Sequence, residues 1–134
     1  MPVILYVLFV VSALPIALAW TGSVYRIRQR GHFDNHHPRM QAAQLTGAGA
    51  RAYAAQANAW ESLQIFLVTA LIAMATGLEL STLNVPALLF LLFRLLHPIF
   101  YIADWAWSRS FSYFGGMLCC LYIIWLALAV PLLQ

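Results

Sequence analysis

Four long apolar blocks, separated by short polar connections, limit what this chain can fold into. We predict helices over residues 3–25, 51–77, 85–107 and 112–133. Each block holds roughly 18–25 residues, enough at about 1.5 Å per residue to cross a hydrocarbon layer of about 30 Å. Four strands cannot close into a membrane barrel. The sequence therefore predicts an all-α integral membrane protein, a bundle of four transmembrane helices.

The composition favours lipid over water as the solvent. Of the 134 residues, 63% are hydrophobic and only 8% are charged, whereas soluble domains carry about 25% charged residues. The mean hydropathy is +0.81. Since no stretch has the composition of a separate soluble domain, we treat residues 1–134 as a single membrane domain.

The cysteines and histidines do not predict a metal site. Cys119 and Cys120 are adjacent within an apolar block, a spacing typical of neither a disulfide nor a zinc site. We expect both to be buried as small apolar side chains. The three histidines between residues 26 and 50 have one acid near them in sequence, which is too little for a ligand set.

The placement of arginine predicts the orientation of the chain. All seven cationic residues are arginines, and most lie in the first connection, a loop over residues 26–50, or in the third, a turn over residues 109–112. The second connection, from Gly77 to Asn84, has none. Because cytoplasmic connections carry an excess of Arg and Lys, we predict that the loop is cytoplasmic. Both the N- and C-termini are then non-cytoplasmic.

Two of the predicted helices carry polar residues on one face. The second helix has Arg51, Asn58 and Glu61, and the third has Arg94, His97 and Tyr101. Charges inside a membrane helix cost several kcal/mol unless they are paired or face an aqueous cavity. Glu61 is the only acid on the second helix, so one interpretation is a structural ion pair between Arg94 and Glu61. The other is a wet, functional cleft.

A third group of polar residues lies where the third helix gives way to the fourth. Arg109, Ser110 and Tyr113 are predicted to lie at the cytoplasmic interface, with Arg109 and Tyr113 four residues apart. Arg and Tyr collect at such interfaces as topology anchors. The spacing also suits a site, and position alone leaves both interpretations open.

These segments resemble the MAPEG family, the membrane-associated proteins in eicosanoid and glutathione metabolism. Residues 51–61, RAYAAQANAWE, resemble its second-helix signature, Arg-Ala-(His/Gln)-x-Asn-x-x-Glu. The third-helix residues Arg94, His97 and Tyr101 are similar to the motif of the prostaglandin E synthases in this family. Arg109-Ser110-x-x-Tyr113 resembles the start of the fourth helix. Residues 33–39, FDNHHPR, resemble a form common in bacterial members.

The resemblance implies a homotrimer with three sites between neighbouring subunits, each open to the cytoplasm. Glutathione would be the co-substrate in a polar cleft, while a lipophilic co-substrate enters from the bilayer. The implied location is a bacterial inner membrane. The implied function is that of a glutathione-dependent transferase or peroxidase.

The resemblance also implies roles for individual residues. Arg109 would be catalytic, because a guanidinium favours the thiolate of a thiol whose pKa is about 8.5. Asn58 and Glu61 would bind the glutathione backbone, with Glu61 receiving the amino group. Tyr101 and Tyr113 would contact its carboxylates or its glycine end. The other implied binding residues are Arg26, Arg51, Gln56, Arg94, His97 and Ser110.

One departure from the family pattern supports an alternative. Family enzymes usually carry an arginine four residues before the Asn, and that position here is Ala54. The alternative is a non-catalytic, lipid-binding member of the family. A four-helix drug exporter is disfavoured because the first block lacks an acid, and nucleic-acid binding is disfavoured because the arginines are few.

Overall fold

Five α-helices make up most of the chain in the computed structural model, which describes residues 1–133 and the side chains of residues 1–130. They are α1 (Val3–Arg30), α2 (Pro38–Ala43), α3 (Gly47–Ala75), α4 (Asn84–Ile102) and α5 (Ala106–Leu133), with a 3₁₀ turn at Leu80–Leu83. Residues 1–133 contain no strand. All helices except the short α2 are long and apolar enough to cross a membrane. The predicted all-α class with four helices of spanning length is confirmed.

The first connection is shorter than the predicted loop over residues 26–50. α1 continues to Arg30 and is capped by Gly31, which has a φ of +76° and donates its N–H to the carbonyl of Ile27 (2.8 Å). This is the left-handed cap that glycine favours. Hydropathy marks where a helix leaves lipid, and α1 remains helical beyond that point. After α2, which begins at Pro38, α3 begins at Gly47 rather than at residue 51.

The turn between the last two spanning helices lies at residues 103–105, not at residues 109–112 as predicted. α4 ends at Ile102 instead of residue 107, and Asp104 adopts a left-handed conformation (φ +65°), which Asp tolerates better than most residues. The N–H of Trp105 then bonds to the carbonyl of Phe100 (2.9 Å). Trp105 and Trp107 flank the first residue of α5, so the composition of this turn is apolar and typical of a membrane span. Arg109 consequently lies near the start of α5, not in a connection.

The core of the bundle lies between all four spanning helices. Phe66 of α3 and Phe90 of α4 stack with ring centroids 4.1 Å apart, and both are almost fully buried. Alanines of α3 and α4 pack close to this stack, as small residues do where membrane helices approach one another. Cys119 and Cys120 are free and buried, as predicted.

Arg51 ties the start of α3 to the turn after α4. Its Nε donates to the carbonyl of Ile102 (3.0 Å), and its Nη1 lies 3.5 Å from a carboxylate oxygen of Asp104. The start of α3 and the turn after α4 are therefore at the same end of the bundle. This arginine-rich end is where the predicted site residues of α5 begin.

Candidate functional site

Arg94 lies at the junction of α3, α4 and α5, with only 3% of its surface exposed. Its Nη1 donates to Oδ1 of Asn58 (3.3 Å) and to Oγ of Ser62 (2.9 Å), both on α3. Its Nη2 donates to the backbone carbonyls of Ser112 (3.2 Å) and Tyr113 (3.0 Å) on α5. One buried side chain thus connects three helices through neutral acceptors.

The predicted ion pair between Arg94 and Glu61 does not form. The ion pairs between side chains of residues 1–130 are Arg51–Asp104 and His37–Asp34. Asn58 and Ser62 are four residues apart and share a helix face, whereas Glu61 is rotated away by about 100° from Ser62. Arg94 therefore reaches the amide and the hydroxyl, and Glu61 is exposed.

A small cavity nevertheless joins Glu61 to this junction. It has a volume of about 40 Å³, and Glu61, Ser62, Arg94 and Tyr113 contribute its polar lining. Nε of Arg94 is buried and has no hydrogen-bond partner among the described side chains and backbone. Glu61 and Arg94 thus border the same void without forming an ion pair.

Aromatic rings continue the junction toward the arginine-rich end. The ring of His97, which is 4% exposed, lies 5.5 Å from the ring of Tyr101 and 6.3 Å from that of Tyr113. The guanidinium of Arg109 lies over Tyr101, 4.6 Å from the ring centroid. That of Arg94 lies 5.5 Å from the centroid of Tyr113. We call the connected set of Asn58, Arg94, His97, Tyr101, Arg109 and Tyr113 the arginine–tyrosine cluster.

Arg109 differs from the other arginine of this cluster in what surrounds it. It is half-buried near the start of α5, where its backbone N–H bonds to the carbonyl of Trp105 (2.9 Å) and its carbonyl accepts from Ser112 Oγ (2.8 Å). Within residues 1–130 its guanidinium has no hydrogen-bond or ion-pair partner, and it packs on an aromatic face by a cation–π contact. Its charge can therefore act on an anion from outside the chain.

Three of the predicted site residues lie away from the cluster. Arg26 and Gln56 line a separate cavity of about 260 Å³ between α1, α2 and α3. Arg26 also donates to the carbonyl of Pro38 (3.2 Å) and to Ser23 Oγ (2.9 Å). Arg51 is occupied by the turn after α4. Ser110 is half-buried beside Arg109 on α5.

Sequence reasoning missed Ser62 and Ser112, both of which are buried. Ser62 holds Arg94 directly, and Ser112 supplies one of its backbone acceptors. The only signal for Ser62 was its position one turn after Asn58. Ser112 gave no signal, because a backbone carbonyl carries no sequence information.

A large apolar groove runs along the outer face of α4 and α5. Its volume is about 490 Å³, and its walls include Phe93, Phe114 and Leu118. Its lining is almost entirely hydrophobic, in contrast to the cluster on the inner side of the same helices. The two helices thus present a polar inner face and an apolar outer face.

Asp34 organises the histidine-containing loop. No group of three or more His, Cys, Asp or Glu side chains in the described part of the chain could hold a metal ion. Asp34 Oδ1 accepts the backbone N–H groups of His36 (2.8 Å) and His37 (2.9 Å). The bond from His37 is the main cause that lowers the pKa of Asp34 below its ordinary value.

Comparison with known proteins gives one match. The model of a family described as "MAPEG family" matches residues 3–129, nearly the whole chain. No curated protein matches the chain, and no solved structure does.

Proposed function

Because the chain belongs to the MAPEG family, we propose that it is a glutathione-dependent transferase or peroxidase that acts on lipophilic electrophiles at the membrane. The observation that carries the proposal is that, within residues 1–130, the guanidinium of Arg109 lacks an anionic partner. Its guanidinium is half-buried on the ring of Tyr101 and has no protein anion beside it within the described residues. Such a cation is suited to hold a thiolate.

Arg109 would act on the sulfur of glutathione. A nearby guanidinium stabilises the thiolate over the thiol, so the proton leaves to water and the sulfur becomes a nucleophile. With an aromatic halide, the sulfur–carbon bond forms and the halide departs. With a peroxide, the thiolate attacks an oxygen, so a sulfur–oxygen bond forms as the O–O bond breaks and the alcohol leaves with a proton from water. A second glutathione then attacks the sulfenic acid, which gives the disulfide and water.

The other residues of the site would hold the tripeptide. Glu61, exposed at the edge of the small cavity, would receive the amino group. Tyr101 and Tyr113 would contact carboxylates with their hydroxyl groups. His97 packs between these two rings and would keep them in place.

We also propose that the protein is a homotrimer. Arg26 and Gln56 line a cavity of their own, away from the arginine–tyrosine cluster of the same chain. A neighbouring subunit that brings this face to the cluster would complete the set of predicted binding residues. Chemical crosslinking in native membranes tests this assembly. We expect bands of the monomer, the dimer and the trimer, and a monomer band alone would contradict the proposal.

The proposed orientation places the arginine-rich end in the cytoplasm and both termini outside. It is supported by the contact of Arg51 with Asp104, which brings the start of α3 and the turn that precedes Arg109 to one end. The proposed location is a bacterial inner membrane. Labelling of a cysteine introduced at Arg39 from the cytoplasmic side, but not from outside, is the expected result.

Glutathione binding and conjugation by detergent-solubilised protein test the activity. We expect saturable binding of glutathione and conjugation of a small aromatic halide. For variants of Arg109, the control for loss of a positive charge is Arg28→Ala, since Arg28 is exposed in the last turn of α1. Absence of both binding and turnover in the wild-type protein would refute the proposal.

A non-catalytic, lipid-binding role is the second candidate. It is favoured by Ala54 in place of the usual arginine and by the apolar groove along α4 and α5. This role predicts that a fluorescent fatty acid binds to the protein while glutathione does not. Glutathione binding separates the two candidates.

A further inference from the structure

Two adjacent glycines of α5 face different side chains of α4. A Cβ atom at Gly116 would lie 2.7 Å from Nη2 and 2.9 Å from Nε of Arg94. A Cβ atom at Gly115 would instead lie 2.5 Å from the ring of Phe93. Neither glycine is among those with positive φ, so each is needed for space, not for backbone conformation.

The space at Gly116 is what lets the guanidinium of Arg94 lie against the backbone of α5. There Nη2 reaches the carbonyls of Ser112 and Tyr113, in the turn that precedes the glycine. The same guanidinium extends through Nη1 to Asn58 on α3. Any side chain at this position of α5 would therefore change how Arg94 meets Asn58.

The contact with Arg94 also sets which way the amide of Asn58 points. Arginine has donors and no acceptor, so the amide must turn its oxygen toward Nη1. The Nδ2 group, which carries two N–H donors, is then directed away from Arg94. Asn58 is partly exposed, so these donors are available to a ligand.

We propose that Gly116 is a positioning residue: it admits the guanidinium of Arg94, which fixes the amide of Asn58 so that Nδ2 donates to a carbonyl or carboxylate oxygen of the bound tripeptide. This inference rests on the proposed function and deepens it. It assigns Asn58 to an acceptor group of glutathione, and it gives Arg94, whose Nη1 and Nη2 donate to the protein and whose Nε is buried, no contact with the ligand.

The first experiment compares two neighbouring glycine variants. We expect Gly116→Ala to weaken glutathione binding about tenfold, the size of effect that loss of a hydrogen bond to a charged ligand group produces. Gly115→Ala is the matched control, because it displaces the partly exposed ring of Phe93 and leaves Arg94 in place. We expect it to change the affinity less than about twofold. Equal losses in the two variants would overturn the proposal.

A double-mutant cycle tests whether Gly116 acts through Arg94. Arg94→Lys removes the planar guanidinium that a new Cβ would meet. In this background we expect Gly116→Ala to cause little further loss of affinity or of melting temperature. Additive effects of the two substitutions would contradict the proposed route.

Asn58→Asp tests the direction of the amide and does not depend on the glycine variants. The aspartate keeps an oxygen for Arg94, so we expect an unchanged or higher melting temperature. It replaces the outward donors by an acceptor, so we expect glutathione binding to fall more than about tenfold. Retained affinity would show that Asn58 does not donate to the ligand.

The proposed function and this inference fail in different ways. If the wild-type protein binds no glutathione, the proposed function fails, and the cycle between Gly116 and Arg94 is read from melting temperatures alone. Non-additive shifts would then uphold the packing of the guanidinium against α5. Additive shifts would overturn it.

Discussion

Replacement of Arg109 by alanine should change the protonation of glutathione more than its binding. In the structure, this guanidinium is half-buried on the ring of Tyr101 and has no acid beside it in the described residues. A sulfur atom about 4 Å from it, at an effective dielectric constant of about 20, gains about 4 kcal/mol as the thiolate. Since the side chain is partly exposed, we reduce this to about 2 kcal/mol.

This energy sets the size of the expected effect. About 2 kcal/mol corresponds to roughly 1.5 pKa units, which moves the thiol pKa from about 8.5 to about 7. At pH 7 the thiolate fraction of bound glutathione would then fall from about one half to about 3% in Arg109→Ala. Turnover should decrease at least about tenfold at this pH.

The assay is the pH dependence of kcat with an aromatic halide. For the wild-type protein we expect kcat to rise with an apparent pKa near about 7, and for Arg109→Ala near about 8.5. The two rates should converge above about pH 9.5, where the thiol ionises without help. Arg109→Lys keeps the charge and should lie between them, and Arg28→Ala should follow the wild type.

A deficit that is the same at every pH would refute this reasoning. It would mean that Arg109 orients the sulfur or the electrophile and does not shift the thiol equilibrium. An unchanged rate at pH 7 would remove Arg109 from the chemistry altogether.

Three further outcomes follow from other contacts. Glu61→Gln should weaken glutathione binding about tenfold in equilibrium dialysis because the carboxylate no longer pairs with an amino group, whereas Glu79→Gln, in the second connection, should not. Phe66→Ala should lower the free energy of unfolding in a detergent titration by about 3 kcal/mol, and Phe9→Ala should have little effect because Phe9 is 72% exposed. Asp34→Asn, which keeps an acceptor but loses the charge, should lower the melting temperature less than Asp34→Ala does. Because folding lowers the pKa of Asp34 below 3.8, the difference between the wild type and Asp34→Asn should be present above that pH and shrink as the pH falls through the folded pKa.

Hydropathy was sufficient to predict the four spanning helices but not their ends. The end of α1 depends on a left-handed Gly31 after a polar helical turn, and the end of α4 depends on a left-handed Asp104 between apolar segments. Each helix end is thus set by the backbone conformation of a single residue. A hydropathy scale does not measure backbone conformation, so the turn predicted before α5 lies several residues beyond the observed one.

Helical spacing predicted which polar residues share a face, and it could not predict which of them meet. It placed Asn58 and Arg94 on facing stripes, where they are hydrogen-bonded. It also suggested Glu61 as the partner of Arg94, although the rotation of α3 brings Ser62 to that position instead. Such rotations depend on packing across several helices, to which small residues such as Gly116 contribute.

The hydrogen bonds that each arginine of the cluster donates indicate better than its charge alone whether it can bind an anionic ligand. Arg94 and Arg109 both lie beside tyrosine rings, and either could be assigned to an anionic ligand from sequence. Arg94 already donates to an amide, a hydroxyl and two backbone carbonyls, all of them neutral. These bonds connect its helix, α4, to α3 and α5. Since the one donor of Arg94 without a partner in the described residues, Nε, is buried, a thiolate there would have to replace bonds that hold the bundle together. Arg109 has only the face of Tyr101, a weak partner that an anion need not displace, and it is therefore the arginine on which a change of thiol chemistry should be sought.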